Sequence, residues 1–387
     1  MKSGLTLQQL AEQLEAAKKA QRDFVAPAPL LRAAVNPAQT VQLAMKTNGH
    51  DETFNVRPYA HGQLAQLTGI PKAYYDRMAT EAPNLLADSL NTWLRMRTDD
   101  RQLVRVAGRD VRAILSDRYR PLDNVNLAEV ALPELLNRGA TIESCQITET
   151  KLYIKAVLPT LSRTINGSEM RDLATYEQVP DHAARVAENQ RRGFKIGDVV
   201  QAMVCLSNSE VGAGTLRVEG GVYRLVCLNA AISPDGSYRK YHIGRGLGGD
   251  AEDAVRALLT DETRRADDKA LWLKVRDVVR AAFDEQRFNT QCDKLEAATQ
   301  DKIALDKGVS LERVVERVVE KFSIGEATGG SILKHLISGG DLSRYGVVQA
   351  VTRASAEVED YDNATELERV GGNIVELSRE DWRQLAA

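Results

Sequence analysis

The chain is predicted to be α+β: a mostly antiparallel sheet domain with flanking helices, followed by a helical C-terminal domain. Three observations carry this. Between residues 101 and 245 the order is strand, strand, helix, strand, strand, loop, strands, without the strict alternation of a doubly wound fold. The densest strand signal, Val199 to Arg245, holds three apolar or alternating runs: Val199–Leu206, Thr215–Val218 and Val222–Leu228. After Gly249 the apolar spacing turns helical and stays so to the end. The expected divisions are an N-terminal helix and extended connector (1–56), an α+β core (57–249, helical over 57–98 and sheet-rich over 101–245), and helices over 250–387.

In order, Thr6 to Ala20 reads as an amphipathic helix, Pro27, Pro29 and Pro37 then break the chain into a connector, and Val41 to Phe54 offers a short strand and turn around Asn48-Gly49. From Tyr59 three short helices follow, with Gly69 closing the first and Pro71 opening the second. Leu64, Leu67, Tyr74, Tyr75, Met78, Leu85, Leu86, Leu90 and Trp93 make their expected buried stripes. A helix-turn-helix outline fits here, although a plain helical packing unit is the simpler reading. Gln102–Ala107 and Val111–Ser116 form a hairpin at Gly108-Arg109-Asp110. Asp123 or Asn124 should cap a helix over 125–136, which Pro133 should kink or split. Two further strands span 141–148 and 151–158, before a polar segment over 162–197. Glycines 212, 214, 220 and 221 read as turns between the strands that follow. Toward the end, Ser310 caps one helix, and another starts near Ser343, with Gly346 and Ala350 on a close-packing face. Two short helices are expected around Gly371-Gly372.

With 387 residues, 43% hydrophobic and 27% charged, the chain has an ordinary globular balance. Its net charge of −3 excludes a polycation, so any nucleic-acid surface must be a local patch. The four cysteines (145, 205, 227 and 292) form no CxxC pair and are expected as buried thiols rather than disulfides or metal ligands. No apolar run is long enough to span a membrane, and the N-terminal segment is too charged for a signal peptide. A cytoplasmic protein with no membrane partner is the expectation.

No catalytic signature emerges. Gly244 to Gly249 matches GxGxxG, but the strand before it is short and charged and no P-loop lysine is present, so a linker is the simpler reading. Ser207, Ser209, Glu210 and His242 lack a nucleophile elbow and look like turn residues. Cys205, Cys227 and His242 are the only conceivable zinc set, and strand cysteines are more often core. No metal or cofactor is therefore expected. Three clusters mix basic and aromatic residues. They are Arg118, Tyr119 and Arg120; Arg191 and Arg192 with Phe194 and Lys195; and Tyr238, Arg239, Lys240, Tyr241, His242 and Arg245. Cations neutralise phosphates and rings stack on bases, so this mixture suits single-stranded nucleic acid. Short solvated basic loops are the plain alternative.

The stretches QLAQLTGIPKAYYDRM, AILSDRYRPLDN, SNSEVGAGTLRV and YRLVCLNAAI, with the following YHIGR, resemble the phage/plasmid-like proteins called the domain of unknown function 932 family. The resemblance covers residues 57–245, and YGVVQAVTRASAEV extends it toward the C-terminus. It implies a passenger of mobile elements and supplies no catalytic residues. The expectation is a protein that binds nucleic acid, single-stranded DNA foremost, without covalent chemistry, in recombination or strand annealing. The alternative is an oligomeric protein-interaction module of a phage or plasmid without nucleic-acid affinity.

Overall fold

The computed structural model describes residues 1–47, 49–168, 198–225, 228–234, 238–240, 260–305 and 308–386, with backbone alone at 238–240. It is α+β, with helices at the C-terminal end. Helix α1 (Leu7–Ala20) begins in a capping box, in which Thr6 Oγ1 accepts from Gln9 N and Gln9 Oε1 accepts from Thr6 N. The chain then builds a first sheet from β1 (Gln21–Pro27), β2 (Arg32–Val35), β3 (Val41–Thr47), β4 (His50–Val56), β5 (Arg101–Ala107) and β6 (Asp110–Ser116). Its order is β1-β5-β6-β4-β3-β2, and only the β4–β6 pair is parallel. The prolines over 27–37 thus do not make a connector. They fall at the end of β1, in a 3-10 turn and in the loop before β3, where a missing N–H costs no ladder bond.

One face of this sheet is covered by α2 (Pro58–Thr68), α3 (Lys72–Glu81) and α4 (Pro83–Arg95). Gly69 ends α2 in the left-handed conformation, φ +70°, as its position predicted. Leu64, Tyr75, Met78, Leu86 and Leu90 are buried, but Tyr74, Leu85 and Trp93 stay about half exposed. They lie on the flanks of stripes too narrow to bury every apolar position of so short a helix. Asn91 of α4 closes the sheet edge at β2, its amide meeting both Ala33 N (2.8 Å) and Ala33 O (2.9 Å).

The second sheet is antiparallel throughout. It comprises β7 (Thr141–Ile147), β8 (Leu152–Thr164), β9 (Val199–Asn208), β10 (Leu216–Arg224) and β11 (Asn229–Ile232) in the order β11-β10-β9-β8-β7, with β12 (Tyr238–Lys240) also on β10. Gly220 and Gly221 are not a turn: β10 runs through them. A Cβ on Gly221 would strike the Ala231 carbonyl oxygen, so the close β10–β11 approach requires glycine there.

One face of the second sheet packs against α5 (Asn124–Asn137) and the later helices α6 (Asp261–Ala281), α7 (Glu285–Gln300), α8 (Leu311–Lys321), α9 (Glu326–Gly339) and α10 (Arg344–Ala354). Helix α5 continues through Pro133 unbroken. All of α10 is buried; Ser343 Oγ caps its start by accepting from Gly346 N at 3.3 Å, and position 346 requires glycine because a Cβ would overlap the Asp341 carbonyl. The other face meets α11 (Tyr361–Val375), and α12 (Arg379–Ala386) follows. Gly371 and Gly372 lie inside α11, not between two helices. Side chains there would overlap Thr352 and the Ile232 carbonyl.

Apolar clusters cross both expected boundaries: residues 28–114 share one core, while α1 and residues 122–386 share another. The 209–215 loop joins them. The buried Arg105 guanidinium meets Asp23 (3.0 Å), Asp123 (2.7 Å) and the Glu210 carbonyl (3.0 Å). Asp123 therefore makes no side-chain cap for α5; Glu210 accepts the Asn124 N–H at 2.7 Å instead, and also pairs with Arg112.

Candidate nucleic-acid interface

The site begins at the edge of the second sheet. β10 pairs β9 on one side, and on the other it pairs first β12 and then β11. The register sets Leu216 opposite Lys240, Arg217 opposite Arg239, and Val218 opposite Tyr238. Two arginines thus share a rung, where like charges directly opposed are destabilising. Arg217 has little to offset this. Its Nη1 lies 3.8 Å from Glu219 Oε1, and its Nε bonds Thr215 at 3.3 Å. Glu219 is itself held by Arg369 of α11 through Nη2 (2.6 Å) and Nε (3.0 Å).

Arg118, Tyr119 and Arg120 follow β6 and approach the same end of the sheet, because Tyr119 donates its hydroxyl to the Ser209 carbonyl at 3.1 Å. They flank the 209–215 loop that leads into the rung facing β12. Their chemistry differs from that of free contact residues. Burial pushes the Tyr119 phenol above its ordinary range. Arg120 pairs with Asp267 (2.7 Å) and Asp268 of α6. Burial lowers its pKa and these carboxylates more than reverse that, leaving it above its usual value. Arg118 is exposed. The structure therefore brings this cluster and β12 to one sheet end, with Tyr119 and Arg120 engaged in internal bonds. Arg191, Arg192, Lys195, Tyr241, His242 and Arg245 lie outside the described residues, as do the Gly244–Gly249 motif and Cys227.

The remaining sequence candidates have structural partners. Ser209 Oγ accepts from Ala213 N (2.9 Å) and Val211 N (3.3 Å), a pair of turn bonds. Cys205 lies between Lys155 and Glu219 on one rung, and burial pushes its thiol up to about 12, far from a reactive thiolate. Among the described residues no three His, Cys, Asp or Glu side chains gather as metal ligands, and no helix is long and apolar enough to cross a membrane. Asn229 of the RLVC-x-N element bonds Gln349 Oε1 at 2.9 Å and also Thr352, anchoring β11 to α10.

Sequence reasoning missed Arg217. It lay within a recognised strand, but only the β10–β12 register shows what it faces. It also missed the buried pair Lys155–Glu368 (2.6 Å, both 0% exposed) beneath α11. Burial pushes the Lys155 ammonium down, and Glu368 more than offsets this, holding it above its ordinary value. No family model matches the chain, and neither a curated protein nor a solved structure is similar to it.

Proposed function

We propose that this protein binds single-stranded nucleic acid, DNA foremost, along the β10–β12 edge, without covalent chemistry. The observation that carries the reading is the rung that sets Arg239 opposite Arg217, whose ion pair with Glu219 is long, 3.8 Å, and shared with Arg369. A phosphate between two such cations relieves their repulsion and releases bound counterions from the strand. Exposed Arg118 and the neighbouring Lys240 extend the track, while Tyr119 and Arg120 support it from behind. The basic and aromatic residues at 191, 192, 195, 241, 242 and 245, outside the described residues, are further contacts proposed from the sequence alone. The resemblance to phage/plasmid-like proteins favours a role on a mobile element, in recombination or strand annealing; a cytoplasmic location and self-association into a homo-oligomer are further parts of the proposal.

The test is affinity for a labelled oligothymidylate after Arg217→Ala and Arg239→Ala. Each variant should weaken binding at low salt. Wild-type affinity in both would remove the rung from the site. The competing reading, an oligomeric protein-interaction module, predicts a defined assembly that binds no oligonucleotide at any salt concentration.

A further inference from the structure

A second recess adjoins the same strand. A cleft of 1110 Å3 opens between β9 and β10 on one side and the corner joining α6 to α7 on the other. That volume lies just above the roughly 300–1,000 Å3 range of small-molecule clefts, which leaves room for a nucleotide unit with its water. Its floor includes Val218 and Gly220, and buried Phe283 and Phe288 build a wall. Gly220 keeps the floor open: a Cβ there would meet nothing nearer than the Ala282 carbonyl, at 3.9 Å. Arg138 and Arg287 also line the cleft. Arg138 gives one Nη1 bond to the Arg280 carbonyl, and the exposed Arg287 guanidinium has no ion pair among the described residues. Of the two acids at the rim, Asp284 is already bonded as the cap of α7, accepting from Arg287 N at 2.8 Å. Val218 stands opposite Tyr238 of β12, one residue along from the Arg217–Arg239 rung and on the other face of the sheet, so the cleft opens beside the edge around which a strand would turn.

We propose that this cleft receives one nucleotide unit of the bound single strand, its base over Gly220 against the Phe283 and Phe288 wall and its phosphate at Arg287 and Arg138. This rests on the reading of the β10–β12 edge given above. The arginines supply the phosphate counter-charge, and the apolar wall takes the face of a ring without reading its sequence. The cleft thereby fixes where along the edge a base leaves the strand.

The full chain is titrated with labelled oligothymidylate, and a strand carrying 5-iodouracil is photocrosslinked and its peptide attachments mapped by mass spectrometry. Crosslinks should fall within residues 278–291. Gly220→Val, which fills the floor, and Arg287→Glu, at an exposed position, should each weaken binding about tenfold or more, the scale of one stacked base. Arg287→Glu keeps the test decisive if the glycine variant fails to fold. If Arg217→Ala weakens binding while Arg287→Glu binds like wild type and the crosslinks fall elsewhere, the cleft proposal is overturned and the edge stands. If the wild-type protein binds no strand, both fail together.

Discussion

Removing the Glu368 carboxylate should be among the most damaging single changes to this fold. Lys155 and Glu368 are fully buried 2.6 Å apart, where β8 meets α11. In Glu368→Ala the ammonium keeps only Thr365 Oγ1 at 3.0 Å and the Tyr361 ring, whose centroid is 4.7 Å away. Leaving one member of a buried pair without its counter-charge costs about 3–5 kcal/mol, a large part of the roughly 5–15 kcal/mol that holds a domain together. The same change should release α11, including the Arg369–Glu219 pair one residue further on. Urea unfolding followed by circular dichroism reads the loss directly. The double variant Lys155→Met/Glu368→Leu, which removes both charges and keeps apolar volume, should stay within about 2 kcal/mol of wild type or exceed it. The pH dependence has a definite sign. Because the folded pKa of Lys155 lies above its ordinary 10.5, the stabilisation is fully present below that value and is lost as pH rises through the folded pKa. A Glu368→Ala midpoint equal to wild type would refute the buried-pair argument.

Other consequences follow from the same packing. Gly346→Ala and Gly372→Ala should each destabilise by about 1–3 kcal/mol, since the added methyl overlaps backbone of Asp341 or Ile232. Gly330→Ala should instead raise the melting temperature, contributing about 0.5–1 kcal/mol, because it sits in α9 with nothing within 4 Å of the new atom. His61 and His335 are both held below their ordinary 6.5, chiefly by burial. The unfolded chain therefore binds protons first on acidification, so stability should fall from about pH 6.5 downward, and His335→Asn should flatten that slope in thermal melts. Arg105→Met should cost several kcal/mol and loosen the junction, since Asp23 and Asp123 lose their shared partner. Limited proteolysis between residues 209 and 215 would report it.

Local signals were the legible part of the fold. The helix from Thr6, the Gly69 stop before Pro71, the Gly108 hairpin, the Ser310 cap and the helix start near Ser343 each depend on neighbours a few residues away, and each formed as its spacing implies. The misread glycines depend on distant backbone. Gly221 serves the approach of β11, and Gly371 and Gly372 serve the seating of α11 on α10 and β11, so what looked like punctuation was close packing. Of the strands over residues 21–56, β1 was hidden because its pairing partner, β5, comes later in the chain, whereas β2, β3 and β4 pair locally around turns such as the one at Gly49. At the candidate site, composition located the Arg118–Arg120 and Tyr238–Lys240 clusters. It could not show that Arg120 is paired with Asp267 and Asp268, far away in sequence, nor that Arg217 stands opposite Arg239.

The central claim is that a cationic edge holds a single strand by its phosphates, and fluorescence anisotropy with single-stranded and duplex DNA across a salt series tests it most directly. If Arg118, Arg217, Arg239 and Lys240 supply three or four phosphate contacts, the log–log salt slope on single strands should be about −2 to −3. Affinity should then fall about 20- to 50-fold between 50 and 200 mM salt. Single strands should be preferred, and Arg217→Ala should reduce the slope by about 0.7 to 1. Binding that is equally tight at both salt concentrations, or no binding at the lower one, would contradict the account.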